Sequence, residues 1–233
     1  MRTISNTITA LFLTFCGPLA STALAQEPSE MAFIRYINAI QPGEGKTKLI
    51  LDGTDAFPKG YDLGQFTGAH GLKAGGHSLE IRKTGVESGS TKLDLKAGET
   101  MSLISFAEKV PPKKGEEDKP PVWKAQILKL KQSEPQEKGF QMTIVSVSEK
   151  EEIACEVISA EKKEPMKTFA KRLTTTTLKL GVGSGDSIFK VNGEELTSLS
   201  PDVKGNYVVI IYDMPGGKLG AISFFDPKFV VTG

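Results

Sequence analysis

"GLKAGGHSLEIRKTG", Gly71 to Gly85, is the stretch on which the reading of the fold turns. Its second half alternates, with Leu79 and Ile81 on one side and Ser78, Glu80 and Arg82 on the other. That is the period of a half-buried strand. Its first half is turn chemistry, because Gly75 and Gly76 are free to take the positive φ that a tight turn before an extended segment needs. The stretch also holds His77, one of the two histidines of the chain, with His70 just upstream. Two imidazoles across a turn suggest zinc, but a zinc site takes a third and usually a fourth ligand. None stands at metal-ligand spacing here. The segment therefore reads as a turn feeding a strand, with His77 at the edge of the core on the face of Leu79 and Ile81.

The same pattern extends in both directions. "FIRYINAI" (33–40), "TKLILDG" (47–53), "TKLDLKAGET" (91–100), "MSLISFAE" (101–108) and "VWKAQILKL" (122–130) are short apolar or alternating runs bounded by Gly, Pro and Asp-Gly turns. Trp123 is expected to anchor the core. "KVPPKKGEEDKPP" (109–121) has four prolines and a mixed charge run, so it reads as a solvated hairpin loop. After a polar linker the strand pattern resumes in "FQMTIVSVS", "IACEVIS", "LTTTTLKL", "DSIFKVNG", "NYVVIIYD" and "GAISFFD". Tyr207 to Tyr212 is apolar on both faces and reads as a central strand covered twice. "SLEIRKTG" and "SIFKVNG" stand at similar places in the two halves, which suggests an internal duplication. The expected fold is all-β: two consecutive β-sandwich domains, Ig-like or jelly-roll-like, at 31–132 and 139–233, with a linker at 133–138.

Residues 1–25 read as a cleaved signal peptide. Arg2 gives the positive end, "ITALFLTFCGPLA" an apolar core too short to span a bilayer, and Ala23-Leu24-Ala25 the small-x-small cleavage pattern. Loss of Arg2 brings 29 basic residues level with 28 acidic ones, which leaves no electrostatic footprint for nucleic acid or an anionic membrane. No later apolar run is long enough for a transmembrane segment. The export expected is to the periplasm, the cell surface or the medium. Cys16 leaves with the leader, so Cys155 is the one remaining thiol and no internal disulfide is expected. Its apolar neighbours in "EEIACEVIS" read as those of a buried, inert cysteine.

Other motifs fall short of a catalytic or metal site. In "GVGSGDSIF" (181–189) the Gly185-Asp186-Ser187 block suggests a serine nucleophile, which needs a histidine base. The chain has no histidine after His77, so an esterase or acyltransferase using Ser187 would have to borrow His70 or His77 from the other domain. The glycines fit no dinucleotide fingerprint either. Asp52 and Asp55 in "LDGTDAF" offer oxygen ligands without the rest of a calcium loop. Thr174 to Thr177 fit a strand with hydroxyls on its exposed face. The aromatic residues are expected mostly in the cores. The sequence thus assigns no catalytic, metal or cofactor-binding residue and leaves the binding residues open. Exposed sheet edges and the 109–121 loop are the candidate contact regions.

The turns of the first domain carry a resemblance. Asn38-Ala39, Asp52-Gly53, the Gly75-Gly76-His77 turn (with a glycine interposed after Ala74) and Ala97-Gly98-Glu99 resemble the bacterial envelope domains of domain-of-unknown-function family 4397. The leader, "FIRYINA" and the two-domain order are also similar to the alginate O-acetylation accessory family, the F component of alginate biosynthesis. This resemblance implies a periplasmic adaptor that supports an acyl-transfer machine without catalysis. Its partners would be an envelope protein, such as a membrane-bound O-acyltransferase complex, or a polysaccharide, and no cofactor is implied. A carbohydrate-binding or adhesive surface module is the alternative, followed by the Ser187 enzyme.

Overall fold

The computed structural model describes residues 30–112, 115, 118, 120–133, 139–159, 164–181, 186–199 and 205–227. The leader 1–25, most of the linker 133–138, part of the 109–121 loop and residues 182–185 of the Gly-rich stretch lie outside them.

The chain is nearly all β, with one 3-10 turn at Pro215–Gly217 and no α-helix among the described residues. The N-terminal half forms β1 (Met31–Asn38), β2 (Glu44–Leu51), β3 (Thr54–Asp55), β4 (His70–Lys73), β5 (Gly75–Thr84), β6 (Val86–Leu95), β7 (Thr100–Val110) and β8 (Val122–Lys131). The C-terminal half forms β9 (Phe140–Ser146), β10 (Glu152–Ser159), β11 (Met166–Lys171), β12 (Thr175–Gly181), β13 (Ser187–Val191), β14 (Glu194–Leu199), β15 (Gly205–Asp213) and β16 (Leu219–Phe225). Leu79, Ile81, Leu93 and Leu95 are all buried, as the alternation requires. The 109–121 segment joins the antiparallel pair β7 and β8. Two details differ from the sequence reading. Gly75 takes a φ of +133° while Gly76 does not turn, because strand β5 already starts at Gly75. Trp123 is only partly buried, with the Lys109 ammonium 5.1 Å from its ring centre.

The second eight strands repeat the plan of the first. In each half the opening strand pairs in parallel with the seventh, β1 with β7 and β9 with β15. The seventh and eighth form an antiparallel pair, and the fourth pairs on the other side of the first. The inner sheets therefore read β8-β7-β1-β4 and β16-β15-β9-β12, and the outer ones β3-β2-β5-β6 and β11-β10-β13-β14. "SLEIRKTG" and "SIFKVNG" fall on β5 and β13, which are equivalent strands.

The halves differ where the sheets meet. A parallel bridge between Glu87 and Lys124 joins β6 to β8, so the N-terminal strands make one eight-stranded sheet. Gly89 permits that approach, since a Cβ there would lie 2.0 Å from the Ala125 carbonyl oxygen. In the C-terminal half β14 and β16 meet instead through the Thr197 and Ser223 hydroxyls, 3.0 Å apart.

Three apolar cores separate the layers. One lies inside the N-terminal half around Tyr36, Leu79, Ile81 and Leu103, and one inside the C-terminal half around Met142, Val157, Phe189 and Val209. The third joins the two inner sheets, with Ile37, Ile104 and Phe106 against Val145, Ile210, Tyr212 and Phe224. β15 is buried along both faces, as its sequence suggests. So are most of β1, β7 and β9. Within the third core Arg35 is paired with Asp226 at 3.2 Å, and its guanidinium lies 4.2 Å from the Phe224 ring centre. At another point Arg172 reaches Glu108 at 2.8 Å.

Residues 56–69, between β3 and β4, form a long excursion over the N-terminal core. The buried Asn38 side chain holds it by donating to the carbonyls of Tyr61 and Asp62 at 3.1 and 3.0 Å. The backbones of Tyr36 and Thr67, and of Thr47 and Tyr61, also pair. The equivalent connection in the C-terminal half, β11 to β12, is the three residues 172–174.

Candidate functional site

The Asp-Gly turn after β2 and the first residues of β5 meet on the outer sheet of the N-terminal half. There His77 Nδ1 lies 2.6 Å from Asp52 Oδ2, and Nε2 lies 2.7 Å from the Lys73 carbonyl. Asp52 Oδ1 accepts from the Ser78 amide at 2.7 Å. A carbonyl and a carboxylate only accept, so the arrangement favours the imidazolium, in which both ring nitrogens donate. The environment agrees: the hydrogen bond to Asp52 and then that to Lys73 raise the His77 pKa, while the bond from His77 and then the Ser78 amide lower that of Asp52. His77 is thus a latch that ties β5 to the turn after β2 and to the end of β4, and both its nitrogens are already engaged in hydrogen bonds.

The other sequence candidates are dispersed. His70 is exposed at the start of β4, where its backbone pairs with Ile34. Ser187 is 2% exposed, the first residue of β13 in the other half, and no hydrogen bond joins it to either histidine. Asp55 is held by the Lys48 ammonium at 3.2 Å and caps the Phe57 amide, so it does not converge with Asp52 on a cation. Among the described residues no three His, Cys, Asp or Glu side chains group around a metal position. Cys155 is buried, and desolvation pushes its thiol up to about 11, far from the nucleophilic range. Thr175 and Thr177 are exposed on β12, whereas Thr176 donates to the Phe169 carbonyl at 3.0 Å.

What the strands do assemble is a polar trough. Register sets Ile50 beside Glu80 and Glu80 beside Ser90, with Ser78 beside Lys92. The outward residues of β2, β5 and β6 line an open depression of about 810 Å³ bearing Asp55, Ser78, Glu80, Arg82, Ser90 and Lys92. It continues through Ser78 and Lys92 into a second depression of about 480 Å³ beside the Asp52–His77 latch. Arg82 donates to both Glu80 oxygens at 2.7 Å, which fixes the fork in the middle of the floor. That bond lowers the Glu80 pKa and raises that of Arg82. Hydroxyls, carboxylates and cations thus alternate across strands about 4.8 Å apart. Such a surface presents hydrogen-bond donors and acceptors side by side along one open face.

The alternation of Ser78, Glu80 and Arg82 signals this face in the sequence, but the register that joins three strands is not legible there. Arg35 and Asp226 were also missed. The signal for Arg35 was a lone charge in an otherwise apolar strand, which burial forces into a pair.

The chain matches no family model, and no curated protein is significantly similar to it. Among the described residues no helix is long and apolar enough to cross a membrane.

Proposed function

We propose that the chain is a non-enzymatic adaptor of the bacterial cell envelope that holds a polysaccharide in the trough across β2, β5 and β6. The observation that carries this reading is the trough itself, an open polar floor whose charges and hydroxyls are set in register. The leader-like residues 1–25 support export to the periplasm or cell surface, and the turn motifs from Asn38 to Glu99 support the envelope-domain resemblance. The repeated eight-strand plan supports two sandwich domains, 31–132 and 139–233. The resemblance to the alginate accessory family supplies the process, O-acetylation of an exopolysaccharide, with a membrane-bound O-acyltransferase complex as the machine served.

The test is titration of residues 26–233 with soluble uronate oligosaccharides by calorimetry, beside a double variant, Arg82→Ala and Lys92→Ala. Binding by the parent and at least a tenfold loss in the variant are expected. Tagged chain purified from its native envelope should also bring down an acyltransferase. Glycan binding with no co-purifying protein would favour the surface-module alternative. Absence of glycan binding, or robust hydrolase activity of the pure chain, would overturn the proposal.

A further inference from the structure

The two halves share a strand plan, so a connection that differs between them is informative. The C-terminal half joins its third and fourth strands through residues 172–174, whereas the N-terminal half uses residues 56–69 for the same step. Loops this long in a compact domain commonly carry function. This one is fixed at several points, with Asn38 donating to two of its carbonyls and the Thr67 hydroxyl accepting from the Tyr36 amide at 3.0 Å.

Beneath it lies a cavity of about 200 Å³. Ile34, Leu49 and Leu51 line it from the sheets, and Tyr61 with the segment Thr67 to Ala69 lines it from the excursion. Ala56 and His70, both exposed, stand at its opening. The lining offers mainly carbon, with the hydroxyls of Tyr61 and Thr67 and the His70 ring among its few polar groups. Tyr36 is also in the wall, but its hydroxyl is already bonded to Ser105 at 2.8 Å. The Tyr61 hydroxyl makes no hydrogen bond among the described residues. Its ring is fixed by Tyr36, 4.6 Å away edge-on, and by Phe57 at 5.1 Å. Burial, then the charge of Asp55, raises the Tyr61 pKa, so the phenol keeps its proton and serves as a donor.

The geometry points to a binding site for a small apolar molecule of about one ring, carrying one acceptor for a hydrogen bond donated by the Tyr61 hydroxyl. The size fits: an apolar cavity of about 150 Å³ accepts benzene, and this one leaves room for a short polar substituent. Lining and donor together match the usual make-up of small-molecule sites, an apolar wall with few placed polar groups. The site is separate from the polar trough on the outer face and does not depend on the function proposed for it.

Acetophenone, a ring with a carbonyl acceptor, and toluene, the ring alone, are suitable probes for titration of the full chain by methyl NMR. Both should shift the methyl signals of Ile34, Leu49 and Leu51, with acetophenone the tighter. Tyr61→Phe should weaken acetophenone by about twofold to tenfold, the worth of one net hydrogen bond, and leave toluene unchanged. Ala56→Trp should block both probes without lowering Tm. Gly68→Phe, at a position where a side chain has open space, provides a second block. Absence of shifts at those methyls, binding that persists in both blocked variants, or an acetophenone preference that survives Tyr61→Phe would each overturn the proposal.

Discussion

Asp226→Ala removes one partner of the charge pair buried between the two inner sheets. Arg35 and Asp226 side chains are only 6% and 5% exposed, and their nearest atoms are 3.2 Å apart. Once the carboxylate is gone, the guanidinium keeps only the Phe224 ring and a long contact to the Phe225 carbonyl. Breaking such a pair on one side costs about 3–5 kcal/mol, because the remaining charge stays desolvated. Against a total stability of about 5–15 kcal/mol for a folded protein, that is a large fraction. The pair itself is not a strong net source of stability. Burial raises the Asp226 pKa and lowers that of Arg35, the attraction between them only partly opposing it. The double variant, Arg35→Met with Asp226→Leu, should therefore be close to the parent or more stable by about 1–4 kcal/mol. Urea unfolding followed by Trp123 fluorescence and by far-UV circular dichroism measures both effects. The third core spans both halves, so the two probes should shift together in Asp226→Ala. A cost below about 1 kcal/mol, or a double variant as unstable as the sum of the single ones, would refute the reasoning.

Two further outcomes follow from single contacts. The His77 pKa is raised from its ordinary 6.5 and the Asp52 pKa is lowered from 3.8. By linkage the His77 contribution is complete below pH 6.5 and is lost as pH rises through its folded value. The Asp52 contribution is complete above pH 3.8 and is lost as pH falls through its own. The urea midpoint of His77→Gln should thus fall furthest below the parent near pH 5 and approach it at high pH; a difference independent of pH would show that the latch is not ionic. Gly89→Ala drives a methyl into the Ala125 carbonyl, a backbone group that cannot swing aside. It should cost about 1–3 kcal/mol and speed amide exchange in β6 and β8, and a neutral effect would contradict the close approach of the two strands.

Much of the architecture was legible because burial imposes period two on each strand. Leu79 with Ile81 and Leu93 with Leu95 announce which side of β5 and β6 faces the core. The unrecognised strands are β3, β4, β11 and β14. They are short or polar edge strands, such as "EELTSL", in which only Leu199 is buried. An edge strand owes its place to hydrogen bonds with a neighbour, and those bonds leave little mark on side-chain pattern. The site was harder to read for the same reason. Asp52 looked like an isolated calcium ligand and His77 like a lone histidine, since 25 positions separate them and only the pairing of β2 with β5 brings them together. Residues 56–69 show Pro58, Gly60, Gly64 and Gly68, which signal turns. That these turns roof a cavity depends on Asn38, which belongs to another element.

The shared plan and the long connection from β3 to β4 fit together physically. In both halves the inner-sheet strands are apolar on two sides, so either half alone would expose the row that now forms the third core: Ile104 and Phe106 in one case, Val208 and Ile210 in the other. Monomers rarely leave so large an apolar face open to water. Stacking equivalent faces buries both rows at once and leaves the outer sheets and the connecting loops as the surfaces free to vary. On the C-terminal side the step from third to fourth strand stays at its three-residue minimum, and Thr176 closes the nearby edge by bonding to Phe169. On the N-terminal side the same step is expanded over a core whose wall residues Leu49 and Leu51 also belong to β2, the strand that floors the trough on its opposite face. Side chains alternate along a strand, so β2 lines the apolar cavity with Leu49 and Leu51 and the open trough with Ile50. Both surfaces of the N-terminal half thus share one structural element.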